Sequence, residues 1–364
     1  MRNIRIAGLT INEPQFLGQS TRMNRGRIAF QPLMLLCLTA ATIPLLLGFF
    51  GSLHPALDSL AHFRVHLAVI VAVLALPLLT TTYLVQAISA LVFAVVAFST
   101  TTDTLNLLGS KPVKAAFEAK PANQAVYRLL QMNLRFDNRT PEKVLSLVGR
   151  TKPDVVTLDE VSSMWDGKLD LLKSAYPYRV VCPRPNSVFG VALLSRRPFT
   201  ENEETHCFER GSLAVATVDF AGAKVDVGAI HLGWPWPFQQ ERQIAILLQP
   251  LASLAPTAIM AGDLNATPWS TAAHDIAKAG GLTLMHSVGP TWLFLPFPDF
   301  LRFAGLPIDN VFSKGDILIH SAERLESIGS DHLPILIEFS IKSGVDQHDD
   351  ENETATVSAE QLRS

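Results

Sequence analysis

Ala258-Ile-Met-Ala-Gly-Asp-Leu-Asn265 is a short apolar run that stops on an acid and an amide. It is too short and too unbroken for an amphipathic helix, and it reads as a buried strand over 256–263. Asp263 and Asn265 stand where that strand runs out. The pattern recurs. Asn133 closes Arg128-Leu-Leu-Gln-Met-Asn133, and Glu160 closes Asp154-Val-Val-Thr-Leu-Asp-Glu160. His231 closes Val225-Asp-Val-Gly-Ala-Ile-His231, and Asp309 follows Leu306-Pro-Ile308. Asp331 and His332 precede Leu333-Pro-Ile-Leu-Ile-Glu-Phe339. Taken singly, each acid or amide is an ordinary turn residue, and a lone strand-end His is ordinarily a hydrogen-bonded core residue. Six such ends, all offering carboxylate, amide or imidazole, point to a shared edge where chemistry is done.

Val- and Ile-rich runs along the chain predict strands at 125–133, 154–161, 178–182, 188–195, 212–219, 224–231, 256–263, 307–313 and 334–341. Amphipathic segments predict helices at 140–150, 166–175, 238–253 and 270–279, with Thr140 as an N-cap before Pro141. Gly222 predicts a hairpin turn between two alternating strands. More strands than helices, in mixed order, predict an α/β domain of two sheets face to face with helices outside.

The ordered set Gln131-Met-Asn133, Pro153-Asp-Val-Val-Thr-Leu-Asp-Glu160, Gly190-Val-Ala-Leu-Leu-Ser195, Ile230-His231, Gly262-Asp-Leu-Asn265, Ile308-Asp309 and Ser330-Asp-His332 resembles the endonuclease/exonuclease/phosphatase superfamily. The resemblance covers about 125–341. It implies a four-layer α/β sandwich of the deoxyribonuclease I-like type, with the site at one edge of the central sheets. It also implies roles. Glu160 and Asp331 would hold Mg²⁺ or Mn²⁺, hard cations that prefer oxygen ligands. Asp263 would orient or deprotonate water. Asn133 and Asn265 would hold phosphate oxygens or neighbouring groups. His332, fixed by Asp309, and His231 would donate to the phosphate. Two positions depart from the pattern. Arg135 stands where some relatives carry a further metal-binding acid, and Asn310 stands where His usually follows Ile-Asp.

The formal net charge is −3, which does not suggest the basic surface of a nucleic-acid binder. Hydrophobic residues make up 48% of the chain and the mean hydropathy is +0.24, high for a soluble enzyme. The apolar excess is local: residues 28–57 and 65–102 contain no Asp, Glu, Lys or Arg. The second stretch would be roughly 57 Å as one helix, nearly twice a hydrocarbon core of about 30 Å. Three spans are therefore predicted, near 30–51, 65–81 and 84–101, as in the superfamily's bacterial membrane-anchored subgroup. Residues 1–27, with Arg2, Arg5, Arg22, Arg25 and Arg27, read as cytoplasmic. Three spans then put the later domain outside the cytoplasm, whereas two would leave it inside. Cys182 and Cys207 could pair there, or could be two separate buried thiols. Residues 103–124 read as a linker, and 342–364 as a disordered acidic tail.

The combined expectation is an integral protein of the bacterial cell membrane that hydrolyses a phosphoester. Its partners would be the lipid bilayer and a substrate drawn from nucleic acid, phospholipid or inositol phosphate. A binding module that keeps the fold without turnover is the alternative. Trp234-Pro-Trp236-Pro, Trp269 and Trp292 could form a substrate rim, and Arg196-Arg197 could meet phosphate.

Overall fold

In the computed structural model, residues 17–102, 114–115, 117–120, 124–182, 190–200 and 205–342 are described. Four helices lead: α1 (Leu17–Leu47), α2 (Pro55–Ala61), α3 (Arg64–Ala75) and α4 (Leu84–Ser99). A 3₁₀ turn over Leu76–Thr80, with Pro77 in it, ends α3 and starts the reversal into α4. The later domain runs β1 (Lys114–Ala115), β2 (Tyr127–Asn133), α5 (Pro141–Thr151), β3 (Val155–Asp159), α6 (Asp166–Leu169), β4 (Tyr178–Cys182), β5 (Val191–Ser195) and β6 (His206–Phe208). It continues with β7 (Leu213–Phe220), β8 (Ala223–Ile230), α7 (Gln240–Ala252), β9 (Ala258–Asp263), α8 (Thr271–Gly280), β10 (Thr283–Met285), β11 (Asp309–Lys314), β12 (Ile317–Arg324) and β13 (Ile335–Ile341).

The strands form two sheets, ordered β1-β10-β11-β9-β8-β7-β6 and β12-β13-β2-β3-β5-β4. Side chains alternate along a strand, so each sheet can bury both faces. On β9, Ile259 and Ala261 point into the core between the sheets, while Ala258 and Met260 pack with α7 and α8. On the other sheet, Leu129 and Val155 join the same central core, while Leu130 and Val156 pack under α5 and Trp165. Helices therefore cover both outer faces, giving the four-layer α/β sandwich.

Topology explains why the polar strand ends meet. In each sheet the only way to join two neighbouring parallel strands is a crossover, and here it is a helix: β2-α5-β3 and β8-α7-β9. The carboxyl ends of all four strands then lie at one edge, the usual place for a site in such sheets. Strand β11 runs antiparallel to β9 with Asp309 opposite Asp263, so it begins at that edge. Strand β13 runs antiparallel to β2 with Ile335 opposite Gln131, which brings the preceding Asp331 and His332 there as well.

Several expectations change. The helix at 166–175 shrinks to α6 and a 3₁₀ turn, and β1, β6, β10 and β12 are additional strands. Thr140 occupies the N-cap position without capping; its hydroxyl lies instead against the Ile328 carbonyl at 3.3 Å. Helix α1 begins at Leu17, inside the segment read as a cytoplasmic lead. Residues 1–16, most of the linker at 103–124, and the tail from residue 343 lie outside the described residues. Cys182 and Cys207 form a disulfide with Cα atoms 5.5 Å apart, tying edge strand β4 of one sheet to edge strand β6 of the other.

The apolar helices are packed inside out relative to a water-soluble bundle. The buried positions are mostly small, with Ala68, Ala75, Ala87, Ala90, Ala94 and Ala97 joined by Leu38, Leu45, Val71 and Leu78. Many large residues face outward: Leu33, Leu36, Val69, Val73, Val85 and Val92 are each more than half exposed. Small residues at helix contacts are the pattern of bundles surrounded by lipid. At one end of the bundle, Arg64 binds the Gly48 carbonyl and the Thr100 hydroxyl, each at 3.2 Å. The end of α1, the start of α3 and the end of α4 thus share one level.

The domain is fastened at that level. Buried Asp58 of α2 accepts from the backbone N–H groups of Thr271 (2.7 Å) and Ala272 (3.0 Å), at the N-terminus of α8. A carboxylate there satisfies free donors and complements the helix dipole. Trp269 Nε1 donates to the Ala61 carbonyl at 2.7 Å.

Gly262 sits where β9 presses against β8, and a Cβ there would collide with the Ile230 carbonyl. Gly262→Ala should cost about 1–3 kcal/mol or more through forced backbone displacement. Chemical unfolding of the full chain in detergent would show a lowered midpoint, and an unchanged midpoint would contradict this packing.

Candidate active site

The eight residues expected from the sequence all arrive at the shared edge. Asn133, at the end of β2, is the joint between the sheets: its Nδ2 donates to Glu160 Oε1 (3.1 Å) and to Asp263 Oδ2 (3.0 Å). Glu160 follows β3 in the left-handed region, with φ 56°, a conformation that non-glycine residues seldom adopt. That turn carries its carboxylate back over the edge, where Oε2 accepts from the Phe136 N–H at 2.9 Å. Asn265 is also left-handed, with φ 49°. Its N–H donates to Asp263 Oδ1 (2.7 Å), while its side-chain amide donates to the Leu232 carbonyl (2.9 Å).

Asp263 Oδ2 faces two imidazoles, His332 Nε2 at 3.5 Å and His231 Nε2 at 3.8 Å. On the far side of its ring, His332 Nδ1 is 2.8 Å from Asp309 Oδ2, the expected pairing. Asp331 Oδ2 accepts from Trp292 Nε1 at 3.1 Å, leaving Oδ1 toward Ser330.

Beneath this cluster is a layer that the sequence reading did not single out. Gln131 Nε2 bridges Asp309 Oδ1 (2.9 Å) and Asp159 Oδ2 (3.1 Å). Asp159 Oδ2 also accepts the backbone N–H of Asp263, in the opposite sheet, at 2.8 Å. Both side chains are buried. The available signal was an amide and an acid inside runs that are otherwise apolar, since such groups are buried only with partners. Asn310, one of the two departures from the family pattern, is likewise buried. Its amide binds the Ala266 and Ile308 carbonyls (2.8 and 2.9 Å), so it staples the Asp263–Asn265 loop to β11 and does not face a substrate.

Other expectations are corrected. Arg197 pairs with Asp154 at 2.9 Å and lies over the Tyr127 ring, at the opposite end of β3 from the site. Trp269 holds α2 and Trp292 holds Asp331, so neither indole N–H is available to a substrate rim. Arg135 turns aside to Asp137, 2.6 Å away.

Burial and mutual charge tune the cluster. Burial alone would lower the His332 pKa, but Asp309 and Asp263 outweigh it and raise it to about 10. Burial would raise the Asp309 pKa, and the facing imidazolium holds it below the ordinary carboxylate range. Asp263 is pushed up to about 7 by burial, partly offset by His332 and reinforced by Asp309. Burial raises the Glu160 pKa, and burial together with Asp263 raises that of Asp159 well above its usual value. At neutral pH the site therefore holds an imidazolium between two acids, above a buried carboxyl group whose ionisation is disfavoured.

Two places could take a cation. One ligand atom from each of Asp263, Asp309 and His332 lies within 4.8 Å of the others. In that trio the imidazole nitrogens already face carboxylates. Glu160 and Asp331 offer oxygen donors only and influence each other electrostatically across the mouth. An all-oxygen set with one weakly bonded carboxylate suits a hard divalent ion.

The His332 environment can be tested directly. Its imidazole should remain protonated at pH 8 by ¹⁵N NMR of the full chain, and Asp309→Asn should return it toward the ordinary range. A raised pKa stabilises the fold fully below about 6.5, and that contribution fades as pH climbs toward the raised value. A neutral wild-type imidazole at pH 8 would refute the pairing.

Residues 130–332, more than half of the chain, match the model of the Endonuclease/Exonuclease/phosphatase family. No curated protein sequence matches the chain. Among solved structures, an endonuclease/exonuclease/phosphatase from Bacteroides vulgatus is 16% identical, covering 60% of this chain and 100% of that one, with a TM-score of 0.50. Humanized D. rerio TDP2 is 19% identical over 59% of this chain and 99% of its own, with a TM-score of 0.48. A Staphylococcus aureus beta toxin mutant with bound magnesium ions is 17% identical over 60% of this chain and 100% of its own, with a TM-score of 0.44. These likenesses are of fold alone. The chain belongs to the endonuclease/exonuclease/phosphatase family and is a metal-dependent hydrolase of phosphoester bonds.

Proposed function

We propose that this protein is a membrane-anchored, Mg²⁺-dependent phosphoesterase whose catalytic domain lies on the extracytoplasmic side. The observation that carries the catalytic reading is the convergence on Asp263. Its Oδ2 is held by Asn133 and faces both His231 and His332. Glu160 and Asp331 would hold Mg²⁺ or Mn²⁺. When bound, the ion supplies positive charge to the phosphate and to the departing oxygen. Asp263 orients the attacking water and takes its proton as the oxygen bonds to phosphorus and the phosphorus–oxygen bond to the leaving group breaks. The His332 imidazolium, steadied by Asp309, donates to a phosphate oxygen, and His231 serves the leaving-group side. Asn133 keeps Glu160 and Asp263 at a fixed separation, and Asn265 fixes Asp263 through its N–H. Phosphoryl transfer asks mainly for positioning and charge stabilisation, which this set can provide.

Membrane attachment is supported by the apolar window Phe30–Leu47 of α1, by the packing of the apolar helices, and by the arginines that precede that window in the sequence. On this reading the side follows from α1. Helices α3 and α4 form a hairpin that returns to the level of Gly48, so the chain re-emerges where it left α1 whether or not the hairpin crosses fully. The Cys182–Cys207 disulfide suits an oxidising compartment.

The full chain in detergent should hydrolyse a generic phosphodiester with Mg²⁺ or Mn²⁺ and stop with EDTA. Asp263→Asn and His332→Ala should each reduce turnover at least about 10²-fold with unchanged circular dichroism. Wild-type rates in both variants would overturn the assignment.

A further inference from the structure

We infer that the mouth of the active site is seated on the bilayer surface by two aromatic loops, and that the phosphoester it cleaves is carried by a membrane lipid. This rests on the membrane-anchored hydrolase reading above and names its substrate class.

The first loop leaves β8 immediately after His231 and holds Trp234, Trp236 and Phe238. The second lies between β10 and β11 and holds Phe297, Phe300 and Phe303. Each of these six side chains is more than half exposed, although large aromatics are ordinarily covered. Both loops frame the catalytic cluster. In the first, the Leu232 N–H donates to the Asp263 carbonyl at 3.0 Å. In the second, the Leu293 N–H donates to the Asp331 carbonyl at 3.0 Å, beside the Trp292 bond to the same residue.

Both loops also touch the apolar helices at one level. Ser59 of α2 reaches the Trp236 carbonyl at 3.4 Å, and the His54 ring lies 6.4 Å from the Trp236 ring. His66, in the first turn of α3, is 2.8 Å from the Ala304 carbonyl through Nε2. That turn begins at Arg64, which gathers the three helix ends. The uncovered aromatics therefore continue the uncovered apolar surface of the helices at the depth where side chains such as Trp favour a membrane interface.

Charge at the rim points the same way. Residues 232–239 contain no charged side chain, and 292–305 contain Asp299 and Arg302. Arg302 is taken up by Asp299 (2.8 Å) and by the Thr291 and Asp331 carbonyls. A polyanionic nucleic-acid strand needs a row of cations along its path, and these loops offer aromatic surface instead.

The test uses the full chain in nanodiscs of phosphatidylcholine and phosphatidylglycerol. Tryptophan emission should be quenched by lipids brominated near the headgroup, and Trp234→Phe with Trp236→Phe should remove most of the quenching. Cleavage of the nanodisc phospholipid should exceed cleavage of single-stranded DNA at equal phosphoester concentration. Phe300→Ser with Phe303→Ser should lower the lipid-to-soluble-phosphodiester rate ratio at least about tenfold, the scale of losing two buried aromatics. Unquenched emission overturns the seating. Metal-dependent cleavage of DNA or a soluble phosphodiester, abolished by Asp263→Asn, without cleavage of lipid overturns the substrate class and leaves the hydrolase reading intact. No cleavage of any substrate overturns both.

Discussion

The architecture hinges on a carboxyl group that touches no solvent. Asp159 belongs to one sheet, yet it accepts the backbone N–H of Asp263 in the other, and Gln131 links it to Asp309. Two sheets packed by Leu, Val and Ile alone could slide, because dispersion and burial are nearly indifferent to small displacements. A buried donor or acceptor is not indifferent, since losing its partner costs the desolvation of that group. The layer beneath the site therefore fixes the relative position of β3, β9 and β11. The groups above inherit that position: Asn133 spans Glu160 and Asp263, and His332 stands between Asp263 and Asp309.

The same residues set the charge of the site. Three acids and an imidazole share a water-poor space, so their protonation is collective. His332 gains a proton that burial would deny it, because Asp309 and Asp263 face it from two sides. Burial and the neighbouring Asp263 push the Asp159 pKa well up beneath them, so a further negative charge in the core is disfavoured. Positioning and charge are two results of one packing decision, and a change in any member should be felt by the others.

Much of this was legible in the sequence because strand ends are marked by abrupt changes of polarity. The runs ending at Asn133, Glu160, His231 and Asp263 each became a strand within a few residues of the expected bounds. Strands β1, β6 and β10 were missed because they have only two or three residues, too few to display a period. Strand β12 was missed because its second half, Ser321-Ala-Glu-Arg324, is polar on an edge. Asp159 was hidden by its neighbour: within Leu-Asp-Glu the eye falls on one acid, and only the pleat separates the buried carboxyl from the one at the mouth. The docking of α2 was not legible at all. Asp58 caps a helix more than two hundred positions later, and no local pattern announces such a partner.

If the Asn133-centred arrangement presents Glu160 and Asp331 to a single divalent ion, Asp263, His332 and Asp309 are left as a proton-handling group. Anomalous diffraction from crystals grown with Mn²⁺ should then show a peak within coordination distance of both Glu160 and Asp331 carboxylates. A peak seated instead among Asp263, Asp309 and His332, with Glu160 unliganded, would contradict it.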